Sequence, residues 1–125
     1  MKQRLRKSSG KPKISEMVLK VAAGYIDLGE TTEQRENYLR SACSAWNIAC
    51  VPAPNREHAI KQYLAQFQKI NQAAVSDYQG FKEDLRRLIT QKDKLYPDVD
   101  VLIIGSRIEM INGRERFIVV SARTK

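Results

Sequence analysis

A chain of 125 residues with 42% hydrophobic content is the size of one domain and can bury a single core. It has no run of about 18 apolar residues, which excludes a membrane-spanning helix. Its basic N-terminus is not followed by the apolar stretch of about 7–15 residues that a secretory signal needs. Of the formal net charge of +8, a share of +6 comes from Lys2, Arg4, Arg6, Lys7, Lys11 and Lys13. The basicity therefore belongs to a terminal arm and not to the body of the chain.

Residues 1–13 contain Ser8-Ser9-Gly10 and Pro12 and little that could be buried, so they are expected to be a flexible tail. Residues 14–125 are expected to form one globular domain. Helical periodicity begins with Ile14, Met17, Val18, Val21, Ala22, Tyr25 and Ile26. Ser15 is placed to cap that first helix, and Gly29 to supply the left-handed position after its end. Gly24 interrupts the pattern at a cost of up to about 1 kcal/mol.

Thr31 and Gln34 have the spacing of a capping box for a second helix. Its buried stripe is expected to run through Tyr38, Leu39, Ala42, Cys43, Trp46, Ala49 and Cys50. Pro52 and Pro54 stop it and predict an extended connector through Val51 and Ala53. Asn55 is the expected cap of a third helix, with Ala59, Ile60, Tyr63, Leu64, Phe67 and Ile70 inward. Ser76 and Gln79 form a second capping-box pattern and open a fourth helix. Tyr78, Phe81, Leu85, Leu88, Ile89 and Leu95 face inward there, and Pro97 ends it.

The period then changes from 3.6 to 2. Val99 to Ile111 and Arg114 to Ala122 read as strands, and Asn112-Gly113 between them reads as a type I′ hairpin turn. That turn sets Ile111 opposite Arg114, Ile108 opposite Phe117, and Glu109 opposite Arg116 as a favourable cross-strand pair. One face then carries Ile104, Ile108, Met110, Phe117 and Val119 and belongs against the helices. The other carries Arg107, Glu109, Arg114 and Arg116 near the turn, and Ile103, Ile118 and Val120 farther from it. Gly105 in mid-strand marks a bulge or a close backbone approach. The fold class is α+β: four helices followed by a C-terminal antiparallel β-hairpin, because strands and helices are segregated along the chain. A lone two-stranded sheet that is apolar on both faces is incomplete. Either helices sandwich it, or a second chain extends it into a larger sheet.

The residues that could carry chemistry do not form a recognisable set. His58, the single histidine, lies on the polar side of the third helix and reads as a surface residue. Cys43 and Cys50 read as helix-core residues. Seven residues along one helix separate them by roughly 10 Å, beyond the roughly 7 Å that a disulfide tolerates. Free thiols fit a reducing cytoplasm. There is no C-x-x-C, H-x-x-x-H, EF-hand or glycine-rich phosphate loop. Asp98 and Asp100 with Glu109 and Glu115 resemble the acidic set of metal-dependent nucleases. The lysine expected two positions after the last carboxylate is absent from both Glu109-Met110-Ile111 and Glu115-Arg116-Phe117. No metal, cofactor or catalytic residue is therefore assigned. Trp46 and the tyrosines fall on core stripes, with Asn47 beside them as an edge polar group. Lys82, Arg86 and Arg87 are diluted by Glu83 and Asp84.

Two functions remain in view. One is a small non-catalytic interaction module, oligomeric or bound to a protein partner. The other is a nucleic-acid-associated protein, with weak non-specific contacts to phosphates from Lys2, Arg4, Arg6, Lys7, Lys11, Lys13, Arg107, Arg114, Arg116 and Arg123.

Overall fold

A computed structural model describes residues 13–70 and 78–122. The expected flexibility of the tail and the Ser76 cap lie outside these residues. In chain order the described elements are α1 (Ile14–Val21), a 3₁₀ turn (Ile26–Leu28), α2 (Thr32–Ala49), α3 (Ala53–Ile70), α4 (Tyr78–Leu95), β1 (Ile103–Ile111) and β2 (Arg114–Ser121). The fold is α+β, with helices first and the antiparallel hairpin last.

The first helix is shorter than its apolar pattern. Lys13, not Ser15, occupies the N-cap, and no side chain caps it. The helix ends at Val21, and Gly24 turns the chain at φ 83°, a region open to glycine. Tyr25 and Ile26 are still buried, because the turn folds them back onto the same core. Gly29 is not a left-handed cap, since its φ is −71°. Its role is close approach: a Cβ there would stand 2.8 Å from the Arg35 backbone nitrogen.

α2 is the central helix. Thr31 accepts from the Gln34 N–H at 3.1 Å. The Gln34 side chain accepts from the Glu30 N–H at 2.7 Å, one residue earlier than in the usual box. Leu39, Ala42, Ala45 and Trp46 are fully buried along it. Removing a residue such as Leu39 from water is worth about 1.5–3 kcal/mol. Cys43 is buried and Cys50 half-buried, and neither is in a disulfide.

α3 begins two residues before the expected Asn55 cap. Asn55 donates its N–H to the Pro52 carbonyl at 2.9 Å, so Ala53 and Pro54 already lie in the first turn. A proline is tolerated there because the first-turn N–H groups have no helical partner. Ile60 and Leu64 carry α3 into the core, and Phe67 stacks on Phe81 of α4 with ring centroids 4.0 Å apart. Arg56 donates to Asp93 on α4 at 2.7 Å and to the Ala49 carbonyl at the end of α2 at 2.6 Å, tying three helices.

On α4, Leu85, Leu88 and Ile89 are buried as expected, but Leu95 is exposed. The buried stripe continues through Lys92, which is 2% exposed. Its stem fills the core position. Its ammonium sits 5.1 Å from the Trp46 ring centre and donates to the Val99 carbonyl. The Val101 carbonyl accepts from Trp46 Nε1 at 2.7 Å. β1 begins at Ile103 and not at the expected Val99, and the carbonyls of Val99 and Val101 are bonded by side chains of the helices.

Asn112 and Gly113 have φ of 54° and 76°, the signature of the type I′ turn. The register sets Ile111 against Arg114, Glu109 against Arg116 and Ile108 against Phe117, as expected. A register shift between Ile103 and Gly105 inserts one extra residue. That bulge reverses the expected faces: Ile103 is buried against the helices and Ile104 is 68% exposed. Met110, also placed inward by the alternation, is 58% exposed.

Candidate interaction surface

The hairpin has two unlike edges. The two-residue turn closes on Ile111 and Arg114 as a bonded pair, and bonded and non-bonded pairs alternate from there. Ile108 therefore points its N–H away from β2, and Glu36 of α2 accepts it at 2.8 Å. At the bulge, Asn47 of α2 donates to the Ile103 carbonyl and accepts from the Ile103 N–H, both at 2.8 Å. Two helix side chains thus stand where a neighbouring strand would at Ile108 and Ile103, while the outward backbone groups of Ser106 and Met110 make no hydrogen bond among the described residues. On β2 the outward backbone groups belong to Glu115, Phe117 and Val119. Among the described residues none of these groups makes a hydrogen bond. β2 therefore carries an edge whose backbone groups are unpaired among the described residues, on a strand that α1 also contacts.

The inner side of β2 is fastened near the turn by an ion pair. Arg35 Nε donates to Glu115 Oε1 at 2.8 Å, and Thr32 donates its hydroxyl to Oε2 of the same carboxylate. Arg35 also donates to the Gly29 carbonyl at 2.9 Å. The Arg35 contact, then the Thr32 contact, hold the Glu115 carboxyl down to about 2. Sequence reasoning missed Arg35, Glu36 and the role of Glu115. Glu36 and Arg35 sit in an ordinary charged helical turn, and nothing local names their partners.

The outer side carries the strand arginines. Arg107, Arg114 and Arg116 are all exposed on this face. The register puts Glu109 opposite Arg116, yet Glu109 accepts from its own-strand neighbour Arg107 at 2.6 Å. The expected Glu109–Arg116 pair is therefore not formed. Arg114 and Arg116 have no ion pair among the described residues. Of the tail lysines only Lys13 is described, exposed at the start of α1. Lys2, Arg4, Arg6, Lys7, Lys11 and Arg123 lie outside the described residues.

The same hairpin concentrates apolar exposure. Among the described residues seven large apolar side chains are exposed, and five of them, Leu102, Ile104, Met110, Ile111 and Val120, lie on the hairpin or just before it. Half-buried Ile118 lies between Arg116 and Val120 on the outer side.

Elsewhere, among the described residues, one buried side-chain polar atom, Arg56 Nε, lacks a hydrogen-bond partner. A cavity of about 360 Å³ between the turn after α1 and α4 is lined by Val21, Tyr25, Leu28, Asp84, Arg87 and Leu88. Its charged residues Asp84 and Arg87 pair at 3.1 Å. The Tyr25 hydroxyl, raised above its ordinary range by burial, bonds Ser41. Burial likewise pushes the Cys43 thiol up to about 11, against ordinary behaviour near 9. His58 is exposed on α3. Among the described residues no group of three or more His, Cys, Asp or Glu side chains is placed to hold a metal ion. No described helix is long and apolar enough to cross a membrane. Compared with known protein families, curated proteins and solved structures, the chain matches none.

Proposed function

We propose that this chain is a non-catalytic interaction module whose hairpin is the docking element. The observation that carries the reading is the placement of five of the seven exposed large apolar side chains among the described residues on or beside the hairpin, four on or just before β1 and Val120 on β2, whose outer backbone groups are unpaired among the described residues. Ile104 and Val120 lie together at the bulge end of the hairpin, and grouped apolar exposure mostly marks a surface that is covered in use. An open edge supplies backbone groups for a partner.

The test substitutes Ile104→Lys and Val120→Lys. Both side chains are exposed, so the thermal midpoint should stay within a few degrees of the parent. Sedimentation velocity and cross-linking pull-downs then compare parent and variant. The reading expects self-associated species or captured proteins to be lost in the variant. An unchanged profile in both measurements refutes it.

The three outer-face arginines support phosphate binding as a second reading. Duplex DNA engaged by all three would give a slope of about −3 in log K against log salt. It ranks second because the apolar half of the same face has no complement on a phosphate backbone.

A further inference from the structure

We infer that the partner of this hairpin is an extended acidic segment that adds to the open edge of β2 as a third strand. The inference rests on the reading of the hairpin as a docking element and names what it takes. Arg114 and Arg116 sit two residues apart on the outer side of β2, both exposed and both without an ion pair among the described residues. Residues two apart on one strand face are about 6.6–6.8 Å apart, and an added strand repeats the same spacing. Carboxylates at alternate positions of the incoming segment therefore meet both arginines in register. The face continues along β2 with Ile118 and Val120, which favour apolar residues at the next two alternate positions. The backbone groups of Glu115, Phe117 and Val119 supply the ladder.

Charge decides against the other occupants. A second copy paired antiparallel through Glu115, Phe117 and Val119 would set Arg114 and Arg116 against Val120 and Ile118 of the other strand and leave both charges without a carboxylate, since Glu109 is already held by Arg107. A phosphate backbone would satisfy the arginines and leave Ile118 and Val120 uncovered. An acidic, half-apolar strand satisfies both halves of the face.

The experiment uses the full chain and a blocked peptide, Glu-Thr-Glu-Thr-Ile-Thr-Val-Thr, with its reversed sequence to cover both strand directions. Amide spectra should show shifts and slowed exchange at Glu115, Phe117 and Val119 on addition of one of the two. The Arg114→Glu and Arg116→Glu double variant should bind about tenfold more weakly. A peptide with lysine in place of glutamate should bind that variant and not the parent. The arginines are exposed, so an unchanged thermal midpoint confirms that the variant is folded. Absence of peptide binding at low salt, or equal binding of the lysine peptide to the parent, overturns the inference. In that case the loss of association in the Ile104→Lys and Val120→Lys variant still decides the docking reading by itself. Slowed exchange at the same amides in a concentration-dependent dimer overturns the inference in favour of a second copy. Binding of short duplex DNA through Arg114 and Arg116, with no peptide binding, overturns it in favour of nucleic acid.

Discussion

The side-chain amide of Asn47 is paired in both directions with the backbone of Ile103, each bond 2.8 Å long. A helix residue thus completes a strand. The amide has a donor and an acceptor at the spacing of a peptide unit, so one side chain satisfies both edge groups at the bulge.

That relationship sets a stability expectation. Asn47→Ala removes both partners and leaves a part-buried N–H and C=O unmatched. The cost should be about 2–3 kcal/mol. Urea unfolding measures it. A change under about 0.5 kcal/mol would mean that water replaces the amide without penalty.

Glu115 predicts an acid response. Its carboxyl is lowered from 4.5 to about 2 by Arg35 and then Thr32. A carboxylate with a depressed folded pKa contributes stability above its unfolded value and loses it as the pH falls through the folded one. The parent should therefore weaken between about pH 4.5 and pH 2 more steeply than Glu115→Gln. The variant should be the less stable of the two at pH 7. Thermal midpoints across that range test the difference in slope, and parallel curves would show that the pair contributes nothing.

The turn gives a backbone prediction. Gly113 sits at φ 76°, where a β-branched side chain is strained. Gly113→Val should cost well over about 1 kcal/mol. Gly113→Asn, which tolerates the left-handed region, should cost less. Equal stability of the two variants would contradict the φ assignment.

Lys92 separates packing from charge. Its stem lies in the core and its ammonium is held by the Val99 carbonyl and the Trp46 ring. Lys92→Met keeps the volume and relieves a buried charge, at the expense of one hydrogen bond. Its stability should fall within about 1 kcal/mol of the parent. Lys92→Ala should lose more than about 2 kcal/mol through the cavity it leaves. Similar losses in both would place the stabilisation in the ammonium instead.

Local physics made the hairpin legible in the sequence. Asn112-Gly113 admits positive φ at both positions, and a two-residue turn leaves one register. The helical stripes were equally legible, because a period of 3.6 residues puts Leu39, Ala42 and Trp46 on one side whatever packs there. The ends of elements were less so. Gly24 broke α1 early, and Pro54 entered α3, because those outcomes depend on what the adjoining turn can pack against.

Tertiary structure alone decided the rest. Which of Ile103 and Ile104 is buried follows from a bulge that Asn47 stabilises from another element. That Lys92 is inside and Leu95 outside follows from where the Val99 carbonyl and Trp46 lie. Arg35 and Glu115 stand 80 residues apart in the chain. Periodicity reports the face a residue occupies and the turn it can adopt. It does not report which distant group will meet that face. The capping of the β1 edge at Ile103 and Ile108 by helix side chains is therefore a property of the assembled chain.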